Sequence, residues 1–299
     1  MEARRPGRRL RETLRRASVL PIRYGLSSEL IRRRLSAMSA FLHRLEVVPT
    51  IAVTAVNLDL HPEIVPSLQD FDLAIHGHQH VAYSVKSPEQ QAGDLDAALS
   101  TFRHYGISPL GFRAPYLRAN GSTLDLLRSR GLLYDSSGSW LAIARGSRLN
   151  RRIARSAEAR YGRLDSHVSL PQLSNLVELP VALPDDEILV DGLGIRRPST
   201  LTRIYREMVH GCAETGSMLV VQVHPERFHL FADSVKEMVR FAADLGAWNA
   251  PLSGLAQWMR RNDNGQHWPQ GHRFALAVTG DLDAVCLSDF VGRLGRLRR

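Results

Sequence analysis

PTIAVTAVNLDLHPEIVPSLQDFDLAIHGHQH, residues 49–80, holds two apolar runs, an amphipathic link and a cluster of histidines. The run VVPTIAVTAV, 47–56, reads as a buried strand. HPEIVPSLQDF, 61–71, has amphipathic character, and DLAIHG, ending at Gly77, forms a second short apolar run. His76 and His80 stand four residues apart. A helical turn at this point would aim both imidazoles the same way, where they can grip one divalent metal. A solvated, pH-sensitive loop is the competing reading. A plain core role fits poorly, because each ring nitrogen would need its own buried partner.

The alternation continues on both sides. Upstream, residues 27–46 carry apolar residues at helical spacing, with Ser27 or Ser28 as the N-cap. Downstream, residues 88–105 form a helix pattern closed by Gly106. PLGFRAPY, 109–116, reads as a strand with its terminal loop, and 122–131 as a helix with Ser122 at the cap and Gly131 at the stop. LLYDSSGSW opens another strand. Residues 141–176 lack a strong period and predict a partly helical surface excursion. VELPVALPDDEILVDGLG, 177–194, reads as two proline-punctuated strands or extended loops. A helix over 199–215, the buried strand MLVVQVHPERF at 218–228, and helices over 232–246 and 252–261 follow. RFALAVTGDLDAV, 273–285, is a final strand ending in a polar loop, with a helix after it. Strands alternating with amphipathic helices predict parallel βα units, and the chemically capable residues fall just past strand ends.

Composition bounds the rest. At 299 residues and 44% hydrophobic, the chain can bury a full core. Its two cysteines, Cys212 and Cys286, lie in no paired spacing, which argues against a disulfide framework or a zinc ribbon. The formal charge is +9, with much of it in the arginine-rich first 35 residues. That head has no apolar core of the signal-peptide kind, and no apolar stretch is long enough to span a bilayer. Cytoplasmic location is expected, with association to an anionic membrane surface through the head. The plainer reading of the head is a solvated, partly disordered tail. No aromatics interleave its arginines, so nucleic acid is not the expected partner.

Three motifs occur in order: HGHQH at 76–80, FRAPY at 112–116 and VQVHP at 221–225. In these, and in the stretch 49–80 that leads to the first, the chain resembles the polysaccharide deacetylases. They are also called NodB-like proteins or carbohydrate esterase family 4. The resemblance covers roughly residues 27–260. It implies a distorted (β/α) barrel of the NodB-like type. The family's first strand normally ends in paired acids, yet the first fifty residues hold no such pair. RFALAVTGDLDAV supplies Asp281 and Asp283 near the other end, so the chain reads as circularly permuted, with its first strand supplied by the C-terminus. Alternatives are an undocked partial second copy, a strand swapped into a neighbouring chain, and an ordinary acidic turn. Asp59 in VNLDL also follows a strand but lacks a second acid and is set aside. The expected organisation is a basic head, 1–26, and one barrel domain, 27–299, with the excursion at 141–176 and the permuted strand and helix at 273–299.

The resemblance implies metal-dependent removal of an acyl group, typically N-acetyl, from an amino sugar in a glycan or a lipid-linked precursor. His76, His80 and Asp283 would be the metal ligands. Zinc is the default ion, with cobalt, nickel and manganese as options. Asp281 would be the general base, His224 the general acid, and Arg113 the holder of Asp281. Tyr116 would offer a backbone N–H to the oxyanion. The acid that orients His224 has no match at the family's spacing; Asp135 is the first choice and Asp185 or Asp186 the second. The LPDDE acids read more simply as a solvated turn. His78 is expected to point away from the metal, and Trp140 suits either packing or a sugar platform. Two non-enzymatic readings stay open: an inactive, deacetylase-like binding module, and a basic nucleic-acid binder working through the head.

Overall fold

The computed structural model describes residues 20–166, 176–262 and 268–296. The head's first nineteen residues lie outside this range, as does 167–175 of the expected excursion. Among the described residues, ten strands make one parallel sheet: β1 Thr50–Val53, β2 Asp72–Ile75, β3 Gly111–Phe112, β4 Tyr134–Asp135, β5 Ser139–Leu141, β6 Val177–Glu178, β7 Val181–Leu183, β8 Met218–Gln222, β9 Ala247–Asn249 and β10 Phe274–Leu282. Their order is β5-β7-β8-β10-β1-β2-β3-β4-β6, with β9 also on β10. The two ends of this path meet. β4 and β5 are consecutive pieces of one bent stretch, and so are β6 and β7. Tyr134 pairs with Val177, Ser139 with Val181, and Val181 with Val220 of β8. The sheet therefore curls on itself as a distorted (β/α) barrel.

β10 is the strand on which this layout turns. All nine of its residues are buried. Ala275–Thr279 pair with Met218–Gln222 on one side, and Thr279–Leu282 pair with Thr50–Val53 on the other. The apolar run FALAVTG suits a strand covered on both faces, because it places no charge inside before Asp281. The C-terminal strand thus docks in its own chain, in the middle of the sheet. The undocked, swapped and acidic-turn alternatives do not describe it.

Helices follow their apolar spacing. In Glu29–His43, Ile31, Leu35, Met38 and Leu42 form one buried face. Pro88–His104 starts with a capping box in which Ser87 accepts from the Gln90 N–H. Gly121–Ser129 is capped by Asn120 rather than Ser122, because the Asn120 side chain accepts from Thr123 N–H one turn on. Helices Pro198–Thr215 and Phe228–Asp244 pack outside the sheet, and the second starts four residues before its predicted position. The expected excursion is only partly superficial. Its helix Arg148–Tyr161 buries Ile153, Ala154 and Ala157, a narrow face that the surrounding arginines conceal in the sequence. The head's last residues, 20–24, are helical, and Tyr24 is buried in a stack with Phe290 of the terminal helix Leu287–Arg296. No helix among the described residues is long and apolar enough to cross a membrane.

Gly280 shows how closely β10 is held. A Cβ there would lie 2.5 Å from the Val223 carbonyl oxygen and 3.2 Å from Ile51 Cδ1. Gly280→Ala is expected to destabilise the fold by about 1–3 kcal/mol through overpacking against backbone. The measurement is a lower urea midpoint at unchanged slope.

Candidate active site

The histidine string does not form a helix. Residues 76–80 are a loop that leaves β2, with Gly77 at φ +74°. This corrects the helical reading of the four-residue spacing. Asp94, from helix Pro88–His104, sets the loop: its carboxylate accepts from the N–H of His78 at 2.9 Å and from Tyr83 Oη at 2.7 Å, and Lys86 Nζ lies 2.8 Å away. A side chain at residue 77 would meet that same carboxylate at 3.1 Å, so glycine is required twice over, for space and for φ. The loop still brings the two rings together, with centroids 5.0 Å apart.

Asp283, just past β10, completes the group. Ligand atoms of His76, His80 and Asp283 lie within 4.8 Å of one another, as do those of His224, Asp281 and Asp283. His76 Nδ1 is 2.7 Å from the Arg113 carbonyl oxygen and donates to it. In the neutral ring, its Nε2 then presents a lone pair to Asp283 Oδ1, 3.4 Å away. Asp283 Oδ1 is buried with no hydrogen-bond partner. Two acceptors face each other there, and a cation between them removes the conflict. His80 Nε2 lies 3.2 Å from Asp283 Oδ2. Burial lowers the His80 pKa, which favours the neutral ring that a metal needs. Burial alone would raise the Asp283 pKa, but His80 and Arg293 bring it well below the usual carboxylate range. The donor set fits a divalent ion such as zinc.

Arg113 and Asp281 form a buried ion pair, Nη1 to Oδ1 at 2.9 Å. Gln222 Nε2 donates to the other oxygen at 2.7 Å, and Arg113 Nη2 also donates to Ser136 Oγ and Thr279 Oγ1. On the opposite side, His224 Nδ1 meets Asp186 Oδ1 at 2.7 Å, and its backbone N–H donates to Oδ2 at 3.2 Å. Burial would lower the His224 pKa; Asp186, and then Glu226, raise it well above the ordinary value. Burial would raise that of Asp186, but His224 and Arg227 hold it at about 2.

Asp186 is thus the partner of His224, and Asp135 is not. Ser137 Oγ donates to Asp135 at 2.6 Å and accepts from the Ala114 N–H at 2.8 Å, so Asp135 braces the FRAPY loop from beneath. Its neighbour Glu178 is pushed well up in pKa, by burial first and then by the charge of Asp135. The solvated-turn reading of LPDDE also fails: Asp185 and Asp186 are both buried. Burial followed by Glu187 and Asp186 lifts Asp185 to about 6. Tyr116 and Leu117 have positive φ, 61° and 55°, and the Tyr116 ring meets His80 edge-on at 4.5 Å. Trp140 is buried in the core, as a packing residue would be.

Two further arginines, outside the three motifs, contact the site's carboxylates. Arg227 lies buried among Asp186, Glu226 and Asp191, at 3.2, 2.8 and 2.8 Å. Its adjacency to His224 in HPER, opposite the acid-rich PDDEILVD, was the available signal. Arg293, from the terminal helix, reaches Asp283 Oδ2 at 2.7 Å; nothing in the local sequence marks it.

Residues 31–134 match the family model for polysaccharide deacetylases. Over that segment the chain is similar to the polysaccharide deacetylase family. The matched segment contains His76, His80, Arg113 and Tyr116, while His224, Asp281 and Asp283 lie beyond it. A peptidoglycan deacetylase-like protein of Gibberella zeae is 37% identical over 67 residues, 22% of this chain. The match spans about a fifth (20%) of that relative's length. Among solved structures, the chain is similar to a protein of Mycobacterium smegmatis assigned to the polysaccharide deacetylases, with TM-score 0.58 and 23% identity over 80% of this chain and 79% of that one. A similarly assigned protein of Pseudomonas aeruginosa PAO1 gives TM-score 0.56 and 16% identity over 77% and 74% of the two chains. At these identities both show the fold alone.

Arg113→Ala is expected to cost about 3–5 kcal/mol, because it leaves the Asp281 carboxylate buried without its cation. Chemical denaturation of the purified variant measures this directly.

Proposed function

We propose that this chain is a metal-dependent hydrolase that removes an N-acyl group, N-acetyl in the first instance, from an amino sugar in a glycan or lipid-linked precursor. One observation carries the reading. A carboxylate paired with a buried arginine and an imidazole held protonated by a carboxylate converge on the same His/His/Asp cluster. Amide hydrolysis needs a base for water and an acid for the leaving nitrogen at one pH.

His76, His80 and Asp283 would hold the ion, with zinc as first choice and cobalt, nickel or manganese as options. When bound, the ion supplies Lewis acidity toward the acyl carbonyl and makes water easier to deprotonate. Asp281 takes the proton of the attacking water; Arg113 and Gln222 fix its two oxygens. His224 gives its proton to the leaving amine from the other side, oriented through Nδ1 by Asp186. The Tyr116 N–H donates to the oxygen that gains charge. In this reading β10 takes the place of the family's first strand, as a circular permutation would arrange it, and residues 27–299 act as one domain. Contact with an anionic membrane through the basic head belongs to the same proposal.

Arg293 favours a second reading, a binding module without catalysis, because its guanidinium already neutralises Asp283. Metal content separates the two. The hydrolase should purify with about one tight divalent ion at this cluster, and Asp283→Asn should lose it. Acetate release from N-acetylglucosamine oligomers should fall about 10²–10⁴-fold in His224→Ala and in Asp281→Asn. Metal-free protein with no acetate release from any acylated glycan favours the binding module.

The acid role also has a pH signature. His224 acts while protonated, so activity falls as pH rises through its raised pKa. Asp186→Asn removes the main raising charge, and the alkaline limb of kcat/KM should move to lower pH. A limb that stays in place assigns the proton to another group.

A further inference from the structure

The start of the terminal helix meets a second group of metal-binding atoms. His61, Cys286 and Asp289 offer one ligand atom each, all within 4.8 Å of one another. His61 Nε2 lies 2.9 Å from Asp289 Oδ2 and 3.9 Å from Cys286 Sγ, and the sulfur lies 3.3 Å from Asp289 Oδ2. Tetrahedral zinc with one sulfur, one nitrogen and one oxygen donor needs spacings of about 3.4–3.6 Å between them. Shifts of a few tenths of an ångström reach that geometry.

Two observations point past a simple helix cap. Asp289 does cap, accepting from the N–H groups of Val285 at 3.2 Å and Cys286 at 3.0 Å. The same oxygen also meets the His61 ring and the Cys286 sulfur, and the sulfur has Ser288 Oγ 3.0 Å away, so ring and thiol converge on one carboxylate oxygen beyond the two backbone N–H groups that a cap serves. Both ring nitrogens of His61 face carboxylates: Nε2 faces Asp289, and Nδ1 lies 3.4 Å from Glu63 Oε1. A neutral imidazole has one hydrogen for these two acceptors. The other contact therefore calls for a cation, either a second proton or a metal. The Cys286 sulfur on the same side is a soft donor that serves a metal and does nothing for a proton. With Nδ1–H directed at Glu63, the Nε2 lone pair is aimed at the cluster, as a ligating histidine requires.

We infer that His61, Cys286 and Asp289 form a second, sulfur-containing site for a zinc-like divalent cation, with Glu63 orienting His61. The side chains of His61 and Asp289 keep 19% and 12% exposure, so an ion has access and a water can complete the shell. The site ties His61, at the start of the 3-10 helix Pro62–Leu68, to the first turn of the helix that carries Arg293, and its role is structural. It stands independently of the proposed hydrolysis, since none of its ligands belongs to the His76/His80/Asp283 cluster.

Cobalt titration of the chelator-stripped, full-length protein tests it, because only a thiolate ligand gives sulfur-to-cobalt charge-transfer absorption in the near ultraviolet. The wild type should develop this band and saturate it at about one thiolate-bound ion per chain. Cys286→Ser and His61→Gln should each lose it, with circular dichroism showing that they remain folded. Asp283→Asn should keep it while losing the other ion. Absence of the band in the wild type, its survival in Cys286→Ser or His61→Gln, or its loss in Asp283→Asn overturns a separate site.

Discussion

Nine consecutive buried residues, Phe274–Leu282, hydrogen-bond to β8 on one side and β1 on the other. Everything else in the barrel is arranged around that double pairing. The strand's apolar half fills the space between the helical layer and the barrel interior, where each fully buried Val, Leu or Phe contributes about 1.5–3 kcal/mol. Its polar end places Asp281, in register with Ala52 of β1, and Asp283, just past the strand, at the carboxyl end of the sheet. Register makes these roles inseparable, because a slip of one residue would move every side chain to the opposite face. Arg113 is the complement on the facing strand end: its guanidinium joins β10 through Asp281 and Thr279 to the β4 end through Ser136.

The site's electrostatics follow from placing opposite charges in matched pairs within one buried volume. Asp281 has Arg113, His224 has Asp186, and Asp186 in turn has Arg227. For His224 and Asp186 the pairing outweighs burial, which by itself would favour the neutral form of each. Asp135 and Glu178 lack a close cation of this kind, and burial drives both pKa values up. Environment rather than residue type thus separates the carboxylates that stay charged from those that support a loop.

Much of the barrel was legible from periodicity and strand-end chemistry. Apolar runs marked β1, β2, β8 and β10, and the motifs at their ends named His76, His80, Arg113, His224, Asp281 and Asp283. The partner of His224 is not legible in this way, because Asp135 ends one strand, Asp186 follows another, and sequence distance does not rank them. LPDDE resembles a polar turn on composition alone. It is buried because Arg227 and His224, some forty residues later, lie against it. The spacing of His76 and His80 suggested a helix, yet Asp94 and the positive φ of Gly77 shape a loop instead.

Local chemistry by itself determined that the chain alternates strands with amphipathic helices, and that its capable side chains gather at strand ends. Both properties reside in nearest-neighbour patterns of polarity, which the chain order displays directly. Only the tertiary structure decided which ends share a cavity, that the last strand sits at the centre of the sheet, and that Arg293 and Asp186 reach the carboxylate and the imidazole they serve. Those outcomes depend on contacts across 10 to 200 or so positions of chain. Long-range contacts are fixed by shape and burial, and no local pattern encodes them.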